Sequence, residues 1–146
     1  MIETINRLTH LCEVMSDKLK SISDNEFSIK TAPGKWSKKE ILGHLTDSAM
    51  NNIHRFVRTQ YENVPFIIYA QNEWVSLQNY NSKNASEIIQ LWEMLNRQVI
   101  HILENVPEKN YGLLCKTNEP EPVTLLWLAQ DYVVHMEHHL HQIIDY

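Results

Sequence analysis

Turn-forming residues are scarce in this chain of 146, which holds 3 Gly and 5 Pro. That excludes a fold of many short strands and favours a few long elements. Cysteine is scarcer still. Cys12 and Cys115 lie far apart and form no C-x-x-C pair. The first twenty residues mix charges into an apolar pattern and lack a basic stretch leading into an apolar one, so no signal peptide is expected. Two thiols in that setting point to a reducing compartment, the cytoplasm. Cys12 keeps step with Leu8, Met15, Leu19 and Ile22 and reads as a small core residue. No apolar run approaches the roughly 20 residues needed to cross a bilayer, so a membrane is not an expected partner. Basic residues are outnumbered, 13 against 18 acidic for a formal charge of -5. With no basic cluster either, nucleic acid is not an expected partner.

What remains is the composition of a folded protein, 43% hydrophobic and 21% charged. The length suits a single domain, residues 1–146, with a core that needs no disulfide or structural metal. Four long helices are expected. The first covers about 2 to 22, where Ile5, Leu8, Leu11, Cys12, Met15, Leu19 and Ile22 recur at helical steps; Ser23-Asp24-Asn25 stops it. Residues Thr31 to Trp36 read as a turn. Ser37 and Glu40 form a capping box, so the second helix starts near 38 and runs to about 60. Residues 62 to 83 are irregular, with room for a short helix within Tyr69 to Leu77. The third helix runs from about 85 to 105, with Ser86 as a candidate cap and Pro107 beyond its end. The fourth begins near Val123. This pattern predicts an all-α four-helix bundle. Its long irregular crossover between the second and third helices implies an up-down-down-up order.

The one unusual count is 8 His. Four lie in VVHMEHHLHQII on the fourth helix. At about 100° per residue, His139 falls within about 20° of the apolar stripe and His135 within about 60°. His138 is off by about 120°, and His141 lies opposite. His135 and His139 therefore face inward one turn apart, a spacing that can hold one metal ion. A lone inward His is usually a hydrogen-bonded core residue, but two on one apolar stripe each need a polar partner. His44 on the second helix lies beside Ile41, Leu45 and Ser48 and supplies a third ligand. Asp47, three residues on, is a candidate acceptor for a liganding imidazole's other N–H. Asp47 and His138 are the candidate catalytic groups. His10, His54 and His101 have no such company, although His54 and Arg55 could line a pocket mouth. Three imidazoles leave coordination positions open, the pattern of catalytic zinc sites, and they suit Zn, Ni, Cu or Fe.

Two segments carry a family resemblance. Trp36 to Asp47 reads W-[ST]-x-x-E-x-x-x-H-L-x-D, and His135 to Gln142 reads H-x-x-H-H-x-x-Q. In this order and separation, with Asn72-Glu73-Trp74 between them, they resemble the DinB/YfiT-like superfamily over nearly the whole chain. The resemblance implies an up-down-down-up four-helix bundle. It implies a divalent ion, zinc or nickel, on His44, His135 and His139, and frequent homodimers. It also implies chemistry like that of thiol S-transferases using bacillithiol, mycothiol or glutathione, or of a thiol-dependent isomerase. Where many relatives have Gly before the last Gln, this chain has His141, which alters local packing or the pocket edge.

The leading expectation is thus a metal-dependent enzyme in which a low-molecular-weight thiol cosubstrate attacks a small electrophile, as in detoxification. Hydrolysis is its sibling. A non-catalytic metal-binding or dimer-forming module is the other class, and a bundle with purely structural histidines is a third. Tyr69, Trp74, Arg55 and Trp127 are candidate pocket-lining residues.

Overall fold

The computed structural model describes residues 1–146. Its long helices are α1 (Ile2–Lys20), α3 (Lys38–Arg58), α5 (Ala85–Glu104) and α6 (Leu125–Ile143), with the short α2 (Asp24–Ser28) and α4 (Gln71–Gln78) between them. A two-residue antiparallel pair, β1 (Leu114–Cys115) and β2 (Val123–Thr124), closes the loop before α6. No helix is long and apolar enough to cross a membrane.

The capping box at Ser37 forms as the sequence implies. Its hydroxyl accepts from the Glu40 amide, and the Glu40 carboxylate accepts from the Ser37 amide. Elsewhere tertiary contacts decide the ends. Ser23 does not merely stop α1; its hydroxyl caps α2. The cap position of α5 is Asn84 rather than Ser86 and makes no side-chain cap bond. The Ala85 amide instead donates to Asp24 Oδ1 at 2.7 Å, so a residue 61 positions away satisfies it. Asp24 also pairs with Lys39, a fully buried lysine whose Nζ donates to the Lys83 carbonyl as well. One carboxylate therefore joins α2, α3 and the start of α5.

The four long helices close a ring. α1 packs on α5, α5 on α3, α3 on α6, and α6 more sparsely on α1. Helices consecutive in sequence, α1 with α3 and α5 with α6, accordingly sit across the diagonals. One continuous core of 28 buried residues fills the centre, with Leu8, Met15, Phe27, Phe56, Trp92 and Leu140 wholly enclosed. Helix α3 lies between α5 and α6 and buries polar residues beside apolar ones, among them His44, Asp47, Ser48, Asn51 and Asn52. A buried polar group without a partner costs about 1–3 kcal/mol; Asn51 and Asn52 meet that need by donating to the carbonyls of Asp47 and Ser48 one turn back.

Candidate metal centre

His44 sits two turns into α3 and is fully buried, with the indole of Trp36 against its ring at 5.1 Å. From α6, His135 and His139 reach the same point, both half-buried. Ring centroids are 5.1 Å apart for His44 and His135, 4.8 Å for His44 and His139, and 4.6 Å for His135 and His139. One ligand atom from each lies within 4.8 Å of the others. The Nε2 atoms of His44 and His135 stand 3.1 Å apart. Two nitrogens bound to one ion at about 2.0–2.1 Å would lie roughly 3.0–3.4 Å apart, so this spacing fits a shared ion.

Electrostatics point the same way. Burial, then the neighbouring His135 and His139, push His44 from 6.5 down to about 3. Burial, then His139, His138 and Arg55, push His135 down to about 4. His139 is lowered by burial, partly offset by its bond to Gln142. All three imidazoles are neutral at pH 7 and offer lone pairs with no proton to displace. One buried and two half-buried neutral bases with no acid among them suit a cation.

Gln142 sets one tautomer. Its Oε1 lies 3.1 Å from His139 Nδ1, so that nitrogen carries the proton and Nε2 is left as the ligand. Its amide nitrogen lies 3.0 Å from Nε2 of the exposed His138, so one side chain bridges both histidines. The motif ending in Gln142 is legible in the sequence, but its role toward His139 is not; its place three residues on, close to one helical turn, is the signal for it. His138 itself faces solvent, as the facing arithmetic implies, and touches the cluster only through Gln142 and an edge contact with His139 at 5.1 Å.

Asp47 differs from expectation. It is fully buried, but its Oδ1 accepts from Tyr80 at 2.5 Å and from Gln78 at 3.0 Å, not from a liganding imidazole. Its Oδ2 and His44 Nδ1 are both left without hydrogen-bond partners. The reason is Gly43: a Cβ there would lie 2.1 Å from Tyr80 Cδ2, so only glycine lets the tyrosine ring lie flat on α3 and reach the carboxylate. Burial raises the pKa of Asp47, while the bonds from Tyr80 and Gln78 oppose that rise.

The remaining candidates divide. His10, His54, His101 and His141 are exposed and outside the cluster, His141 stacking on Tyr146 at 4.4 Å. Tyr69 and Trp74 meet edge-on at 5.6 Å over the crossover. Trp127, partly exposed, lies in the first turn of α6, two turns ahead of His135. A cavity of about 570 Å³ opens beside the cluster, walled by Trp36, Ile41, Asn72 and Gln142 among others.

Known proteins share this arrangement of helices. A model of the DinB superfamily matches residues 4–143. A Geobacillus thermodenitrificans protein named "Putative metal-dependent hydrolase" is 24% identical over 148 residues, covering 98% of this chain and 82% of its own length. YfiT of Bacillus subtilis, of the same designation, is 24% identical over 126 residues, 85% of this chain and 71% of its own. The solved structure of YfiT, a four-helix bundle of unusual topology, superposes with a TM-score of 0.87 at 22% identity, over 97% of this chain and 82% of that one. A mycothiol-dependent maleylpyruvate isomerase superposes with a TM-score of 0.70 at 14% identity, over 94% of this chain and 58% of that one. At such identities the structural likeness establishes the fold.

Proposed function

The chain belongs to the DinB superfamily, and on that footing we propose that it is a divalent-metal-dependent enzyme acting on a small molecule. The observation that carries this reading is the convergence of three neutral imidazoles, His44, His135 and His139, on one point. An ion held there supplies Lewis acidity, which lowers the pKa of a thiol or water so that a nucleophile exists near neutral pH. The protein's part is to hold and orient. Gln142 keeps His139 in the ligand tautomer, Trp36 walls the site beside His44, and three protein ligands leave room for a thiol or substrate. Zinc or nickel suits an all-imidazole set.

The reaction we assign first is S-transfer, a low-molecular-weight thiol adding to a small electrophile; the fold shared with a mycothiol-dependent isomerase supports it. Hydrolysis is the second reading, favoured by the designations of the sequence relatives. We take the protein to work in the cytoplasm as a homodimer. Its two free, buried cysteines suit a reducing compartment. We also read the bundle as up-down-down-up. The bonds Ser37–Asn81 near the starts of α3 and α5, and Gln60–Asn110 near their ends, support parallel middle helices.

Metal analysis of untagged protein tests the centre. Wild type is expected to bind one equivalent of zinc or nickel, and His44→Ala and His139→Ala to bind none, with helical circular dichroism retained. Stoichiometric metal in both variants would sink the assignment. With cobalt in place of the native ion, thiols should alter the visible spectrum if the ion keeps a position open to them; a spectrum indifferent to thiols favours a non-catalytic metal-binding module.

A further inference from the structure

Helix α3 carries a polar line down the face that meets α6: His44, Ser48, Asn52 and Arg55, at helical steps of four, four and three. Helix α6 answers with His139, His135 and Asp131 at steps of four. The metal cluster forms one end of this seam. The other end holds Arg55, three turns from His44 along the same face.

Arg55 is half-buried, and every acceptor it has is neutral. Its Nε and Nη2 donate to the Ile67 carbonyl at 3.3 and 3.1 Å, and Nη1 reaches Asn52 Oδ1 at 3.4 Å. No carboxylate lies within 4.0 Å, in contrast to the arginines at 7, 58 and 97, each of which has an ion-pair partner. Asp131 on α6 acts on it electrostatically from beyond ion-pair distance, and burial raises the pKa of that carboxyl. Tyr69 borders the guanidinium from the crossover side. Ordering a cation in a partly dry seam without a counter-ion is unfavourable. The Ile67 and Asn52 bonds fix the guanidinium yet leave some of its five N–H groups free. Such a fixed, unpaired guanidinium suits an anionic group brought by a ligand.

We infer that Arg55 is a specificity residue that binds the carboxylate of a substrate or cosubstrate lying along the α3–α6 seam, its reactive end at the histidine cluster. The inference rests on the metal-dependent reading for the reactive end only; the anion site itself follows from Arg55.

The test uses ω-mercaptocarboxylates of graded length, each against the mercaptoalcohol of equal length, titrated calorimetrically into zinc-loaded and into chelator-stripped protein. Wild type is expected to bind the best-fitting carboxylate about tenfold or more tighter than its alcohol. Arg55→Gln keeps a donor for the Ile67 carbonyl but removes the charge, and it should bring the ratio close to one. Arg55→Lys should recover part of it. A ratio near one in wild type, or a ratio unchanged by Arg55→Gln, overturns the inference. A ratio that is the same with and without zinc upholds the anion site while removing the metal from ligand binding, so the two readings fail separately.

Discussion

Each imidazole of the cluster is a base kept neutral by its surroundings, and that has consequences in acid. The free side chain titrates near 6.5, whereas His44 and His135 in the folded protein titrate near 3 and 4, with His139 also lowered. Between those values the unfolded chain takes up protons that the folded chain refuses, so stability falls as pH drops through this window. Metal-free protein is therefore expected to lose thermal stability from about pH 6.5 downward. A His135→Phe variant should show a shallower slope. Equal slopes for the two would contradict the neutral-imidazole description. Gln142 offers a second test at this scale. Gln142→Leu removes the acceptor that fixes the tautomer of His139, and metal affinity should fall about 10–100-fold. Gln142→Glu keeps an acceptor on His139 and should retain most of the affinity. Competition with a chromogenic chelator reads both.

Gly43 shows how an element can be shaped by one missing side chain. Glycine inside a helix normally costs about 0.5–1 kcal/mol relative to alanine. Here it makes room for Tyr80, which is almost wholly buried and bonded to Asp47. Gly43→Ala improves the local helix propensity but drives a methyl into the ring. Overpacking of this kind costs about 1–3 kcal/mol, so the melting temperature should drop despite the better helix former. A raised melting temperature would refute the close approach. The elements themselves are legible where signals are local. The Ser37–Glu40 box, the stripe of α1, the span of α5 and the short helix after Tyr69 all follow from residues a few positions apart. The cap of α5 does not, because Asp24 supplies it from another helix, and the two-residue β1–β2 pair is too short to leave a periodic pattern.

Across the molecule, the pairing of helices depends on contacts that join distant segments. Tyr132 on α6 donates to Asn96 Oδ1 on α5 at 2.6 Å in the middle of the core, a polar bridge across one diagonal of the ring. Tyr132→Phe keeps the packing and strands the Asn96 oxygen. That should cost about 1–3 kcal/mol, and the melting temperature of a domain this size should fall by several degrees, about 2–8 °C. No change would mean that water replaces the hydroxyl.

Taken alone, the sequence determined that the chain is helical, that α6 turns His135 and His139 inward together, and that His44 lies on the buried face of α3. Each is a matter of 100° steps along one helix, which neighbouring residues fully specify. Folding decided which atoms meet. It brought His44 Nε2 to 3.1 Å from His135, gave Asp47 to Tyr80 rather than to an imidazole, and bonded Arg55 to neutral oxygens rather than to a carboxylate. Those outcomes depend on how separate helices cross and on the space each side chain finds between them, quantities that no single helix encodes.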